Sequence, residues 1–296
     1  MSVYEKITEK ILEQLEQGTV PWRKPWHTSL PKNLVSRKPY RGINVLMLGM
    51  QGYASAYWAT FRQVAKLGGT VRKDEHGTLV VFTSRFEVVD KETGEEKEIP
   101  FLKSYVVFNL AQTSGISTPA EEQKAPVSPI AKCEEVVTGM ADKPSIDFDG
   151  GSRAYYSPLS DSIHLPAQAK FESAEGYYGT LFHELVHSTG NAKRLARKGV
   201  AQVSGFGSES YCQEELVAEI GAAFLCGTTG IETRTLENSA SYIAGWLKSL
   251  KDDKKLVVVA AAQAQRAVDY ICGEPTSTCH SVSDLVVPVI NLERNK

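Results

Sequence analysis

Tyr4, Ile7, Ile11 and Leu15 recur at three- and four-residue spacing among polar residues, which predicts an amphipathic helix over 3–17 with Gly18 as its stop. Pro21, Pro25, Pro31 and Pro39 then interrupt any regular period, so 19–41 reads as an extended loop. Two short helices follow at about 43–51 and 57–67, the second closed by Gly68-Gly69. Residues 77–89 and 98–109 are rich in Val, Phe and Tyr and flank the polar stretch 90–97. That pattern predicts a β-hairpin with a charged tip.

Residues 116–132 hold three prolines and few large apolar side chains, the mark of a linker. Beyond it the pattern predicts a strand (154–165), a helix (174–190), an irregular segment (191–209), a second helix (210–226) and two C-terminal helices (238–250 and 254–271). The expected organisation is α+β on both sides, with domains at 1–115 and 144–296 and a linker at 116–143. A length of 296 residues suits two domains, and 42% hydrophobic with 23% charged residues is globular composition that excludes wholesale disorder. No apolar run approaches the roughly 20 residues of a membrane span. The first residues read as a charged amphipathic segment rather than a signal peptide. Five cysteines without a Cys-x-x-Cys pair argue against a disulfide scaffold and a zinc ribbon, and suit the cytoplasm.

Charge changes the picture. Between Gln17 and Lys73 stand ten Lys or Arg and no Asp or Glu. With that segment at +10 and the chain at −2, the remainder carries −12. Such asymmetry points to a polyanionic partner. The same segment holds three of the four tryptophans. In Pro21-Trp-Arg-Lys-Pro-Trp26 rings and cations alternate, the combination that stacks on unpaired bases and follows phosphates. Trp22, Trp26 and Tyr40 are therefore candidate stacking residues, and Arg23, Lys24, Arg37, Lys38 and Arg41 candidate phosphate contacts. Trp58 and Phe61, placed on a short helix, are expected to pack in the core; Asn44 and Gln63 are further hydrogen-bonding candidates. The bland alternative is a small domain whose core uses the rings and whose surface is merely basic.

The sharpest local signal is Leu181-Phe-His-Glu-Leu-Val-His187. His183 and His187, four apart on a helix, project from one face toward one point, as a divalent metal requires. Glu184 stands beside them as a candidate general base on the hydrolytic water. A second helix supplies Glu215 and Glu219, again four apart, amid small and apolar residues. Buried carboxylates need partners. A metal satisfies Glu215, and an imidazole N–H satisfies Glu219. The competing reading is a core helix with two incidental histidines and an exposed Glu219. Glu214 is read as a solvated neighbour, His164 as structural, and Tyr155 or Tyr156 as candidate oxyanion donors or plain strand residues. Lys193, Arg194, Arg197 and Lys198 read as a solvated basic loop or an extension of a DNA path.

The pattern resembles the gluzincin metallopeptidases, in which a downstream helix bearing Glu completes His-Glu-x-x-His. That resemblance implies His183, His187 and Glu215 as ligands, Glu184 as base and Glu219 behind the ligands. Taken together, Pro21-Trp-Arg-Lys-Pro-Trp26, Tyr40-Arg-Gly-Ile-Asn44, Trp58-Ala-Thr-Phe-Arg-Gln63, Val107-Phe-Asn-Leu-Ala-Gln112, His183-Glu-Leu-Val-His-Ser-Thr-Gly190 and Glu214-Glu-Leu-Val-Ala-Glu219 resemble the ArdC-type antirestriction proteins of conjugative plasmids. The N-terminal module is also similar to one in plasmid primase-type proteins, and the metallopeptidase half is what makes the ArdC-type resemblance specific. The second half also looks like the SprT and Spartan proteases.

The resemblance implies a protein that binds single-stranded DNA and shields incoming plasmid DNA from restriction. It also implies one zinc, or another divalent metal such as manganese, per chain. The alternatives are a DNA-dependent metalloprotease acting on DNA-bound proteins, with a restriction complex or such a protein as partner, and a binding protein whose metal is structural. Turnover by the peptidase-type domain does not follow from the residues alone.

Overall fold

The computed structural model describes residues 1–22, 30–89, 96–119, 128–148, 151–201, 209–231 and 240–274. The first helix, α1 (Val3–Glu16), begins where expected, because Ser2 and Glu5 form a reciprocal capping box. Strand β1 (Lys32–Asn33) and helix α2 (Ile43–Gly49) follow. Residues 57–67 do not form one helix. Tyr57–Thr60 is a strand, β2, and only Phe61–Lys66 is helical, α3. The switch sits at Thr60, which caps α3 through Gln63. Upstream of that cap, Tyr57 and Trp58 are ring residues suited to a half-buried pleat. Trp58 is buried as expected, but Phe61, at the helix start, is exposed.

After β3 (Thr70–Val71), the expected hairpin appears as β4 (Thr78–Val89) and β5 (Glu96–Asn109), paired antiparallel from Thr78–Val107 to Val89–Glu96. The tip, 90–95, lies outside the described residues. The sheet order is β1-β2-β5-β4, which leaves β4 at an edge. Asn44 of α2 locks onto this edge strand. Its side chain donates to the Val81 carbonyl and accepts from the Val81 N–H, both at 2.7 Å. Asn44 is thus buried and committed, and Gln63 likewise serves its own helix cap.

Strand β6 (Thr113–Ser114) pairs with β3. Part of the expected linker is helical: α4 (Pro129–Gly139) starts on a proline, which is preorganised for a first turn, and buries Cys133 and Val137. The strand expected over 154–165 is instead a tight antiparallel pair, β8 (Tyr155–Ser157) and β9 (Ser162–His164), with β7 (Ser145–Asp147) parallel to β9. The turn falls at Pro158-Leu-Ser-Asp161, where Asp161 takes φ 52°.

Helices α5 (Ala174–Thr189), α6 (Lys198–Ala201), α7 (Glu209–Thr229), α8 (Ala240–Asp252) and α9 (Leu256–Ile271) complete the second half. Helices α5, α7 and α9 pack on one another. The largest hydrophobic core joins them to Ile7, Ile11 and Leu15 of α1. α1 therefore belongs to the same core as α5, α7 and α9, with Thr8 donating to the Lys254 carbonyl at 2.7 Å. Among the described residues no helix is long and apolar enough to cross a membrane.

Gly221 sets the spacing of α5 and α7. A Cβ there would lie 2.8 Å from Cγ2 of Val186, a β-branched side chain with little freedom to turn away. Gly221→Ala is expected to cost about 1–3 kcal/mol of stability through overpacking and to weaken metal binding. Denaturant unfolding and chelator competition measure both; a wild-type result in each removes this glycine as the spacer.

Candidate metal centre

Helix α5 presents His183 and His187 on one face, with their Nε2 atoms 3.1 Å apart. Glu215 of α7 reaches between them, each carboxylate oxygen 3.6 Å from one Nε2. One ligand atom from each of the three residues lies within 4.8 Å of the others. His183 is buried, and the other two are nearly so. The donor set of two imidazoles and a carboxylate fits a divalent cation.

The surroundings demand positive charge. Burial pulls the His183 pKa down. The facing carboxylate of Glu215 and the charges of Glu184 and Glu219 outweigh it and raise the pKa to about 9. Burial pushes Glu215 up, but the facing His183 imidazole and the charge of His187 hold it at about 2. A proton or a metal ion can satisfy this cluster, and the two compete for the same nitrogen lone pairs.

Glu214 is not solvated. It is buried, and its Oε1 lies 3.2 Å from Nδ1 of His187. A proton on Nδ1 donated there leaves the Nε2 lone pair facing Glu215 and His183. Arg197 grips both oxygens of Glu214, at 2.9 Å through Nε and 2.6 Å through Nη2. It also donates to the Val186 carbonyl and the Thr189 hydroxyl of α5. Burial pushes the Glu214 pKa up, while Arg197 and His187 bring it below the usual carboxylate range. Arg197 is thus neither a solvated loop residue nor a DNA contact, but the clamp that holds Glu214. Its signal in the sequence was only a cation shortly before an acidic helix, too weak to pair the two.

Glu219 departs from expectation. It is buried and acts on His183 through its charge, but Nδ1 of His183 has no hydrogen-bond partner among the described residues. The imidazole partner is Glu214, on the other histidine. Glu184 is buried on α5 beside His183. Tyr156 is committed elsewhere: its hydroxyl donates to Asp161 and accepts from Asn191, both at 2.8 Å. Tyr155 stacks on His164 with centroids 4.6 Å apart. Arg194 is likewise no solvated residue, since its buried guanidinium pairs with Asp161 at 2.8 Å.

The N-terminal candidates divide. Trp22 is 1% exposed and packs edge-to-face on Trp246, centroids 5.1 Å apart, so its ring has no face for a base. A large apolar ring beside the core of α1 is worth more buried than left in a basic loop. Arg23, Lys24 and Trp26 lie outside the described residues. Tyr40 is buried within the packing of α2, β2 and the hairpin. Arg41 pairs with the buried Asp269 of α9, so it ties the two halves together. Arg37 and Lys38 are exposed, and the Arg37 guanidinium stands 5.1 Å from the centre of the Tyr57 ring.

His183→Ala is expected to reduce a stoichiometric divalent metal to traces in elemental analysis; equal content in wild type and variant would reject the ligand trio. Glu214→Gln is expected to weaken metal affinity about 10–100-fold, as losses behind a ligand histidine do. Chelator competition measures it, and unchanged affinity would reduce the Arg197–Glu214 clamp to a packing device.

Two family models match in succession. Residues 1–108 match the N-terminal domain of anti-restriction factor ArdC, and 135–263 match a zincin-like metallopeptidase. The chain is 36% identical over 287 residues to an uncharacterized protein, y4eC, of Sinorhizobium fredii, covering 91% of each. It is 34% identical over 290 residues to DNA primase TraC of Escherichia coli, but spans only 27% of that primase. Because the primase match covers 90% of this chain, it includes the metal half, which therefore does not separate antirestriction proteins from primases. The crystal structure of the antirestriction ArdC protein from plasmid R388 superposes with a TM-score of 0.76 in its metal-free form, at 41% identity over 92% of this chain and 97% of that one. Its Mn(II)-bound form gives 0.75 at 39% identity. With both halves matched in order and that identity running through nearly the whole of a solved relative, the chain belongs to the ArdC antirestriction family.

Proposed function

We propose that this protein binds single-stranded DNA through its basic N-terminal half and thereby shelters incoming plasmid DNA from host restriction. One observation carries the reading: similarity to a solved antirestriction protein runs through both halves at once. Charge supports binding DNA over imitating it. A chain at −2 with a +10 segment lacks the dense negative surface that imitation of a duplex needs. A strand held by this protein is withheld from a restriction complex.

His183, His187 and Glu215 are assigned as the ligands of one divalent metal, with zinc as the ion that this donor set suits. Such an ion supplies Lewis-acid polarisation of a scissile carbonyl. Glu184, buried beside His183, is assigned the role of taking a proton from the attacking water and returning it to the leaving amine. Glu214, held by Arg197, keeps the His187 ring in the ligating orientation.

The burial of Glu184 beside this trio also favours a second reading, in which the protein is a DNA-dependent protease of DNA-bound proteins. Glu184→Gln separates the two. It is expected to retain metal and single-strand binding, to abolish any peptide hydrolysis, and to protect transferred plasmid as well as wild type in a conjugation assay. Loss of protection would make cleavage the function.

A further inference from the structure

The face of the β4–β5 hairpin that carries Val80 and Val107 is packed at one end by Tyr40, Leu48 and Trp58. Two residues along each strand the cover stops. Phe82 is 46% exposed and Tyr105 is 40% exposed. Their rings meet edge-to-face with centroids 5.7 Å apart, and Lys103 Nζ lies 5.9 Å from the centre of the Tyr105 ring. In an edge-to-face pair the ring that supplies the edge keeps both faces open to a third partner.

Phe82 also stands 6.4 Å from Tyr40, and both line a cavity of about 660 Å³ between the β4 edge and α9. Lys38 borders it from the N-terminal half and Arg266 from α9. Among the described residues its lining carboxylate is Asp269, which pairs with Arg41; Arg41 also lies 3.6 Å from Glu274. The cleft is therefore aromatic and net cationic, with walls drawn from both halves. Rings for π-faces beside cations for a phosphodiester backbone are what an unpaired strand needs. A duplex hides its base faces, and an apolar peptide has no use for the cations.

We propose that unpaired DNA bases stack on Phe82 and Tyr105 and enter the β4–α9 cleft, with Arg266 of the metallopeptidase half meeting the phosphates. The inference rests on the single-strand-binding reading and places it away from Trp22. A strand seated there touches both halves, so α9 is part of the nucleic-acid site.

The test uses the full chain and a fluorescein-labelled oligothymidylate in anisotropy titrations across salt. The chain carrying Phe82→Ala and Tyr105→Ala is expected to bind at least about tenfold more weakly with the salt slope unchanged. Arg266→Gln is expected to weaken binding and to flatten the slope of log affinity against log salt by about 0.7. Both should keep the wild-type metal content and unfolding midpoint. If wild type binds and both variants match it, this site is overturned while the single-strand reading stands. If wild type itself fails to bind, that reading falls first. Displacement of the oligomer by polyglutamate as readily as by unlabelled oligothymidylate overturns the site in favour of an acidic peptide surface.

Discussion

Helices α5 and α7 gather the carboxylates of Glu184, Glu214, Glu215 and Glu219 around two imidazoles inside a hydrophobic core. So much negative charge, taken out of water, is tolerable only with positive charge among it. Arg197 provides part of it permanently, from a loop that must fold back over α5 to reach Glu214. The rest falls to the histidines, to a proton or to a metal. Gly221 lets the helix backbones approach closely enough for this exchange to occur across a single contact. Metal affinity, helix spacing and the path of 191–201 are thus consequences of one electrostatic demand.

The same core extends to the N-terminus. α1 lies against α8 and α9, Arg41 reaches Asp269, and Gln265 of α9 accepts from the Gly42 N–H at 3.0 Å. The basic half is consequently joined to α8 and α9 by buried apolar surface and by the ion pair of the partly exposed Arg41 with the buried Asp269. Breaking such a pair from one side leaves an uncompensated charge, so the joint resists loosening. Helix α9, which Arg41 reaches, itself packs on α5 and α7.

Periodicity located α1, the hairpin and the long C-terminal helices because each is a local pattern: a 3.6-residue stripe, a run of β-formers, a polar tip. It failed at 57–60, where the Thr60–Gln63 capping box starts the helix only at Phe61, and at 155–164, where a four-residue turn folded an apparent strand on itself. It also missed α4, since three nearby prolines outweighed a short apolar stripe that only packing against α5, α7 and α9 makes worth burying.

That His183 and His187 share a face was legible in the sequence, because i, i+4 spacing fixes it whatever surrounds the helix, whereas the approach of Glu215 is a contact between two helices. The asymmetry of charge was equally local and additive. What only the tertiary structure decided was the identity of partners far apart in the chain: Glu214 for His187, Arg197 for Glu214, Asp269 for Arg41, Trp246 for Trp22. Each of those residues has the same sequence signature whether exposed or buried. Packing alone turned an apparently solvated glutamate into a ligand's support and an apparently exposed tryptophan into core.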